Sequence, residues 1–236
     1  MKRPYTIIIS EVTVDGKLTL AKGVSSKEIM KFMDEEANRY LHETRAKVDG
    51  IMVGAETIRT DNPYLTVRYV KGKNPTRIIP TSTADIPLDA NVLKKDAPTI
   101  IITTEKAPEE KVKALSEKVE VVKIGDEKVD LIKMMDFLYS RGIHTLMVEG
   151  GSTLNWNLLN LGLVDEIRII HMPFIVGGTD TPTLVGGEGF KSLEDVIKLK
   201  LRAHFMRGSH LITEWEVKYE SWSFILFTSK RQSREK

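Results

Sequence analysis

The sequence predicts an α/β fold: a mostly parallel central sheet with helices on both faces and an antiparallel hairpin at its C-terminal end. Three observations carry this. Strand-like and helix-like stretches alternate repeatedly between residues 77 and 159, the pattern of a parallel sheet covered on both sides. The strand-like runs are short and continuously apolar or β-branched, as in residues 99–103 and 145–148, which suits strands buried on both faces. After Gly162 the alternation stops, and two extended segments meet near Arg207-Gly208-Ser209, a hairpin signal.

The elements follow in order. Residues 5–10 form an apolar first strand, and Asp15-Gly16-Lys17 is a turn. Ser25 with Glu28 three residues on reads as a capping box. Ile29, Phe32, Met33, Ala37, Tyr40 and Leu41 then mark one face of a helix running to about Arg45. Residues 51–53 are a short strand closed by Gly54, and residues 55–60 make one or two helical turns. Asp61-Asn62-Pro63 is a turn, because Pro63 lacks an N–H and restricts Asn62. A short strand at 65–67 and another at 77–80 follow. Residues 99–103 are a strand, Pro108 opens a helix at its first position to about Glu117, and 119–124 is a strand. Asp130 caps a helix through Tyr139, and Gly142 suits the position just past its end. Beyond Gly162, residues 164–176 are extended and broken at Pro173, and Gly177-Gly178 and Gly186-Gly187 bracket a loop. Residues 199–205 and 210–219 are the hairpin strands; in the second, Leu211, Thr213, Trp215 and Val217 share one face and Glu214, Glu216 and Lys218 mostly take the other.

Composition narrows the function classes. The net charge of +2 is misleading, because residues 221–236 carry four basic residues and one acid and leave −1 on the rest. A near-neutral body lacks the basic face of a nucleic-acid binder. No apolar run reaches the roughly 18 residues of a spanning helix, and the N-terminus shows no signal-peptide pattern. Cysteine is absent, which removes disulfides, thiolate metal sites and cysteine nucleophiles and fits a cytoplasmic protein. The histidines (His42, His144, His171, His204, His210) are scattered, so no metal is assigned; His171, in an apolar strand, reads as packed. There is no Gly-x-Ser-x-Gly elbow, no phosphate loop ending in Gly-Lys-Ser/Thr and no Gly-x-Gly-x-x-Gly after the first strand. Residues 1–219 read as one domain. Residues 220–236 are an extension, apolar at 222–227 and then basic, for which an added strand, an edge cover, a subunit contact, a poorly ordered end or a cloning remnant all stay open.

Polar clusters gather at three strand ends. After the strand at 145–148 come Glu149, Gly150, Gly151, Ser152, Thr153 and Leu154, then apolar residues at helical spacing. Two glycines allow close backbone approach, Ser152 suits a helix N-cap, and the free N–H groups of a helix start favour a phosphate. A tight turn without a ligand is the alternative. The second cluster is Gly54-Ala55-Glu56-Thr57 with Asp61-Asn62-Pro63 and Leu65-Thr66-Val67-Arg68; the third is Pro80-Thr81-Ser82-Thr83. Ligands of open α/β sheets bind beyond the carboxyl ends of strands, and three such ends suit a large ligand such as a dinucleotide.

These pieces together, Val53-Gly54-Ala55 with Thr57, the segment 61–68 and the segment 148–154, resemble the riboflavin-pathway reductases, with Asp15-Gly16-Lys17 and residues 163–166 adding to the match. The resemblance covers roughly residues 5–219. It implies a dihydrofolate-reductase-like fold, a homodimer and NADPH as hydride donor. It implies a pyrimidinone substrate bearing a ribosylamino 5′-phosphate, reduced to the ribitylamino product. The zinc-binding deaminase half of the bacterial enzyme is absent, which points to the archaeal or fungal branch and the 2,5-diamino substrate. Carried over, Gly54, Thr57, Asp61, Pro80, Thr81, Ser82, Thr83, Gly150, Gly151, Ser152, Thr153 and Leu154 bind the cofactor. Arg45, Leu65, Arg68 and Glu149 face the substrate, the arginines gripping its phosphate. Thr81, Ser82 and Thr83 suit a 2′-phosphate, which favours NADPH over NADH. Asp61 and Glu149 are the candidates for stabilising a cationic imine or relaying a proton, against an Asx-turn for Asp61 and a strand-end cap for Glu149. Where the family has Lys or Asn near the end of the first strand, this chain has Ile9 or Ser10, followed by Glu11. Two rival readings are another NADPH reductase on the same fold and a non-catalytic nucleotide-binding module.

Overall fold

The structure is a computed structural model and describes residues 2–219; the extension at 220–236 lies outside the described residues. Nine strands pair into one sheet: β1 (Tyr5–Thr13), β2 (Gly50–Met52), β3 (Thr76–Pro80), β4 (Thr99–Thr103), β5 (Glu120–Lys123), β6 (Thr145–Val148), β7 (Glu166–Met172), β8 (Lys198–Arg207) and β9 (His210–Lys218). Their spatial order is β5-β4-β3-β2-β6-β1-β7-β9-β8. From β5 across to β7 every pairing is parallel; β9 runs antiparallel to β7, and β8 to β9. The strand–helix alternation predicts the first part and the Gly208-Ser209 turn the second.

Side-chain alternation sorts each apolar run onto two cores. Ile9, Ile51, Ile79, Ile101 and Met147 face α2 (Glu35–Lys47), α3 (Ala55–Asp61) and α4 (Glu109–Ser116). Ile8, Met52, Ile78, Ile100, Ile102, Leu146 and Val148 face α5 (Leu131–Ser140) and α6 (Ser152–Asn160). A continuously apolar strand is therefore the economical sequence for this sheet, each buried aliphatic side chain stabilising it by about 1.5–3 kcal/mol.

Several local expectations are corrected. The single helix expected from Ser25 to Arg45 is two: α1 (Lys27–Met30) and α2. The capping box does not form. The Ser25 hydroxyl accepts from the Lys27 N–H, and Glu28 pairs instead with Lys31. Asp34 restarts the helix, its carboxylate accepting from the Ala37 N–H, and Phe32 is exposed. The same carboxylate accepts from the Ser209 N–H and hydroxyl in the β8–β9 turn. Burial pushes the Asp34 pKa up, but these hydrogen bonds outweigh it and hold the carboxyl well below the usual range. Pro108 caps α4 from outside rather than opening it. The two faces of β9 separate as expected: Ile212 joins the core beside α2, where the Tyr40 hydroxyl donates to Glu214, while Trp215 and Val217 pack on the core of the opposite side.

Residues 65–67 are not a strand. Leu65 is fully buried with φ +53°, a region that costs a non-glycine residue about 1–3 kcal/mol unless its surroundings fix it. Two buried arginines do so. Arg77 Nε donates to the Tyr64 carbonyl and Arg45 Nη1 to the Thr66 carbonyl, one on each side of Leu65. Arg77 sits wholly inside the protein on β3, its charge met by Asp96 at 2.6 Å and by the carbonyls of Val92 and Lys94.

Candidate active site

Pairing to β6 stops at Ile8, but β1 continues through Ser10 and Glu11 to Thr13 against β7. The carboxyl end of β1 thus overhangs the turn that follows β6. That turn holds Glu149, Gly150 and Gly151, and the Gly150–Gly151 peptide is cis. Gly151, not Ser152, is the N-cap of α6, and it offers no side-chain cap. The N–H groups of Ser152, Thr153 and Leu154 consequently have no partner within the helix and point out of its positive end.

Glu149 follows Met147 in the alternation and so faces α2. There Arg45, on the buried stripe with Ala37, Tyr40, Leu41 and Thr44, meets it with two parallel hydrogen bonds, Nε to Oε1 at 2.6 Å and Nη2 to Oε2 at 2.7 Å. Bidentate pairs of this kind fix both position and orientation. Next to them His42 Nδ1 accepts from the Arg68 N–H at 3.0 Å. Burial first, and then Arg45 and Arg68, pull the His42 pKa down to about 3, so the imidazole is neutral and free to accept. Asp61, the last residue of α3, accepts from the Ser26 hydroxyl at 2.6 Å and from the Ser26 N–H, which ties the start of α1 to the site.

Two cavities open here. The larger, about 1040 Å³, runs over the carboxyl ends of the central strands. Of the residues expected to hold a cofactor, Gly54, Thr57, Asp61, Pro80, Thr81, Ser82, Gly151, Ser152, Thr153 and Leu154 line it; Thr83 is exposed and, like Gly150, stands off the lining. Its volume is at the upper end of the roughly 300–1,000 Å³ of small-molecule sites, and its basic side chains are Lys22 and Lys128. The smaller, about 310 Å³, is lined by all four residues expected at the substrate, Arg45, Leu65, Arg68 and Glu149. Glu11, Ser26, Thr57, Asp61 and Glu149 line both. Arg45 reaches this wall with Nε, Nη1 and Nη2 each donating, two of them to Glu149, and Arg68 Nη1 donates to the Thr66 hydroxyl beside it.

The sequence reading gave no site role to Glu11, Lys22, Ser26 or the Gly186-Gly187 pair. Glu11 lies just past the run assigned to the first strand. Lys22 and Ser26 belong to the β1–α1 loop, whose place against the cavity is set by tertiary contacts. Gly186-Gly187 lies on α6: a Cβ at Gly187 would fall 2.3 Å from the Trp156 ring and one at Gly186 2.7 Å from the Ser152 hydroxyl. The Asp15 motif secures that loop. Its carboxylate accepts from the Val176 and Gly177 N–H groups, and the Lys17 ammonium donates to the Gly178 carbonyl.

The carboxyl edge of the sheet thus carries a cleft with an uncapped helix start, opening into a smaller cavity walled by carboxylates and arginines. A family model described as the RibD C-terminal domain matches residues 4–213. The chain is 65% identical over 219 residues, 92% of its length and 98% of the relative's, to the 2,5-diamino-6-ribosylamino-4(3H)-pyrimidinone 5′-phosphate reductase of Aquifex aeolicus. It is 44% identical to the protein of the same name from Methanothermobacter thermautotrophicus, covering 92% of this chain and 99% of that one. Among solved structures, a deaminase/5-amino-6-(5-phosphoribosylamino)uracil reductase from Thermotoga maritima superposes with a TM-score of 0.73 at 24% identity over 91% of this chain; the match spans 56% of that protein's length. The chain therefore belongs to the RibD C-terminal domain family, the reductases of riboflavin biosynthesis.

Among the described residues no helix is long and apolar enough to cross a membrane, and no group of three or more His, Cys, Asp or Glu side chains is placed to hold a metal ion.

Proposed function

We propose that the chain reduces the ribosylamino group of 2,5-diamino-6-ribosylamino-4(3H)-pyrimidinone 5′-phosphate to the ribitylamino group, with NADPH as donor, in the cytoplasm and as a homodimer. The observation that carries this is the shared wall: a dinucleotide-sized cavity and a smaller polar one meet at Thr57, Asp61 and Glu149, so two ligands bound there would touch. The name borne by the 65% identical relative supplies the substrate.

NADPH, when bound, supplies a hydride. The residues present fit it. The free N–H groups at the start of α6 suit its pyrophosphate, Gly54 and Thr57 line the same cavity, and the Thr81 and Ser82 hydroxyls with Lys128 suit a 2′-phosphate. On the substrate side, Arg68 and Lys27 both line the smaller cavity and are the cations for the sugar phosphate. Leu65 presents an apolar wall to the pyrimidinone. The carboxylate of Glu149, held by Arg45, stabilises the cationic imine formed when the sugar ring opens, and Asp61 lines the same two cavities. Enclosure by the two cavities orients the partners and excludes water. For the dimer, Leu199, Leu201 and Met206 on the edge strand β8 are exposed and offer an apolar surface to a second copy.

Anaerobic incubation with NADPH and a panel of the 2,5-diamino substrate, its deaminated analogue and dihydrofolate tests the reading. Oxidation of NADPH with the 2,5-diamino compound, and a product two mass units heavier, is expected. Turnover of dihydrofolate alone would assign a different reductase, and cofactor binding without turnover would assign a binding module.

A further inference from the structure

The site contains an acid that the reading above leaves unused, half-buried as a residue but with one carboxyl oxygen shut off from solvent. Glu11 sits on the overhanging end of β1, in phase with Ile9 and so on the α2 side, and lines both cavities. Its Oε1 is shut off from solvent and makes no hydrogen bond, unlike the carboxylates beside it. Glu149 is gripped by Arg45 and Asp61 by Ser26. A buried carboxyl oxygen without a partner costs free energy in the free protein, and such a group at a junction between two ligand cavities is placed to serve a ligand.

We propose that Glu11 is a catalytic acid, donating the proton that opens the sugar ring of the substrate. This rests on the reduction proposed above. The bond between the anomeric carbon and the ring oxygen breaks, its electron pair going to the oxygen, which takes the Glu11 proton. The lone pair of the exocyclic nitrogen forms the C=N bond of the iminium cation. Glu11 is left as a carboxylate facing that cation. A bound reduced nicotinamide dinucleotide would supply the hydride that the anomeric carbon takes up as the C=N pair returns to nitrogen. Water reprotonates Glu11, so one hydride and one proton are consumed for each ribityl group formed.

The surroundings keep the proton available. Burial above all, and then the negative charge of Glu149, raise the Glu11 pKa to about 7, with Asp61 adding to this and Arg45 opposing it. Lys27, Lys31 and Arg68 are the other basic side chains that line the smaller cavity with Arg45. General acids work best when their pKa lies near the operating pH, and contribute about 10²–10⁴-fold.

The test compares wild type, Glu11→Gln and Glu11→Asp, with Glu11→Ala as a second probe should one variant not fold. If wild type does not reduce the 2,5-diamino compound, the proposed function falls, and the role of Glu11 with it. If wild type is active, Glu11→Gln is expected to lower kcat about 10²-fold or more with KM changed less than threefold. It is also expected to abolish the fall of kcat above pH about 7, and Glu11→Asp to recover part of the rate. Independently of turnover, infrared difference spectra of wild type minus Glu11→Gln or Glu11→Ala, in protein without cofactor, should show a protonated carboxyl that disappears between pH 6 and 8. A Glu11→Gln kcat within threefold of wild type, or a Glu11 carboxyl ionised throughout pH 5–9, overturns the proposal while leaving the reductase reading intact.

Discussion

Glu149 and Arg45 lie 104 residues apart in the chain and meet in a bidentate pair, and the chemistry of the site is graded around that pair by what each neighbouring acid touches. Glu149 has a cation, Asp61 has a hydroxyl, and Glu11 Oε1 has nothing. The difference has a consequence for stability. With a folded-state pKa near 7 against an ordinary value of 4.5, Glu11 holds a proton in the folded chain over a pH range where the unfolded chain has lost it. Stability therefore falls as pH rises from about 4.5 through about 7. Glu11→Gln removes that dependence. Its Tm should match wild type at pH 4–5 and exceed it at pH 8, by about 2–4 °C for each kcal/mol recovered; thermal melts of the two proteins across that range give the comparison. Glu149 was legible in the sequence because two glycines and a helix start follow it. Glu11 stood out only as a neighbour of the family's first-strand Lys or Asn position, because a single acid at the end of an apolar run reads as the place where a strand stops. Only the register, which carries β1 beyond the end of β6, puts it over the active site.

At the scale of elements, the parts fixed by local chemistry were readable and the parts fixed by distant contacts were not. Residues 99–103 and 145–148 are strands with the boundaries expected, and Asp130 caps α5 through the Ile132 and Lys133 N–H groups. The break between α1 and α2 depends on Asp34, which is recruited by the β8–β9 turn, and no window around residue 34 contains that turn. The loop over Leu65 depends on two arginines from other elements. The same holds for the loop bearing Gly186-Gly187, whose glycines looked like ordinary turn signals but are needed where backbone lies against Trp156 and Ser152. Gly187 has φ +80° as well, so Gly187→Ala meets both a ring and an unfavourable backbone conformation. It is expected to lower Tm and to weaken NADPH binding severalfold by lifting the loop from the start of α6. Calorimetry with a fluorescence titration checks both, and an unchanged Kd would detach the loop from the cofactor site.

For the whole molecule, strand–helix alternation and the C-terminal hairpin were sufficient to foresee a mostly parallel sheet with an antiparallel end. The order of the strands was not foreseeable, and function follows from that order. With β1 between β6 and β7, and β2 on the other side of β6, the carboxyl ends of β1, β2 and β6 lie together. Those ends and the segments that follow them bring Glu11, Thr57 and Glu149 to one junction. The proposed function carries one consequence for the reaction itself: ligands bound in the adjoining cavities would exchange hydride directly, without exchange with water. NADPH deuterated at the transferred position of its nicotinamide, incubated with enzyme and the 2,5-diamino substrate in ordinary water, is the direct test. The account predicts a single deuterium on the anomeric carbon of the ribityl product, seen by mass spectrometry and NMR. Product without deuterium at that carbon, or deuterium lost to solvent, would contradict it.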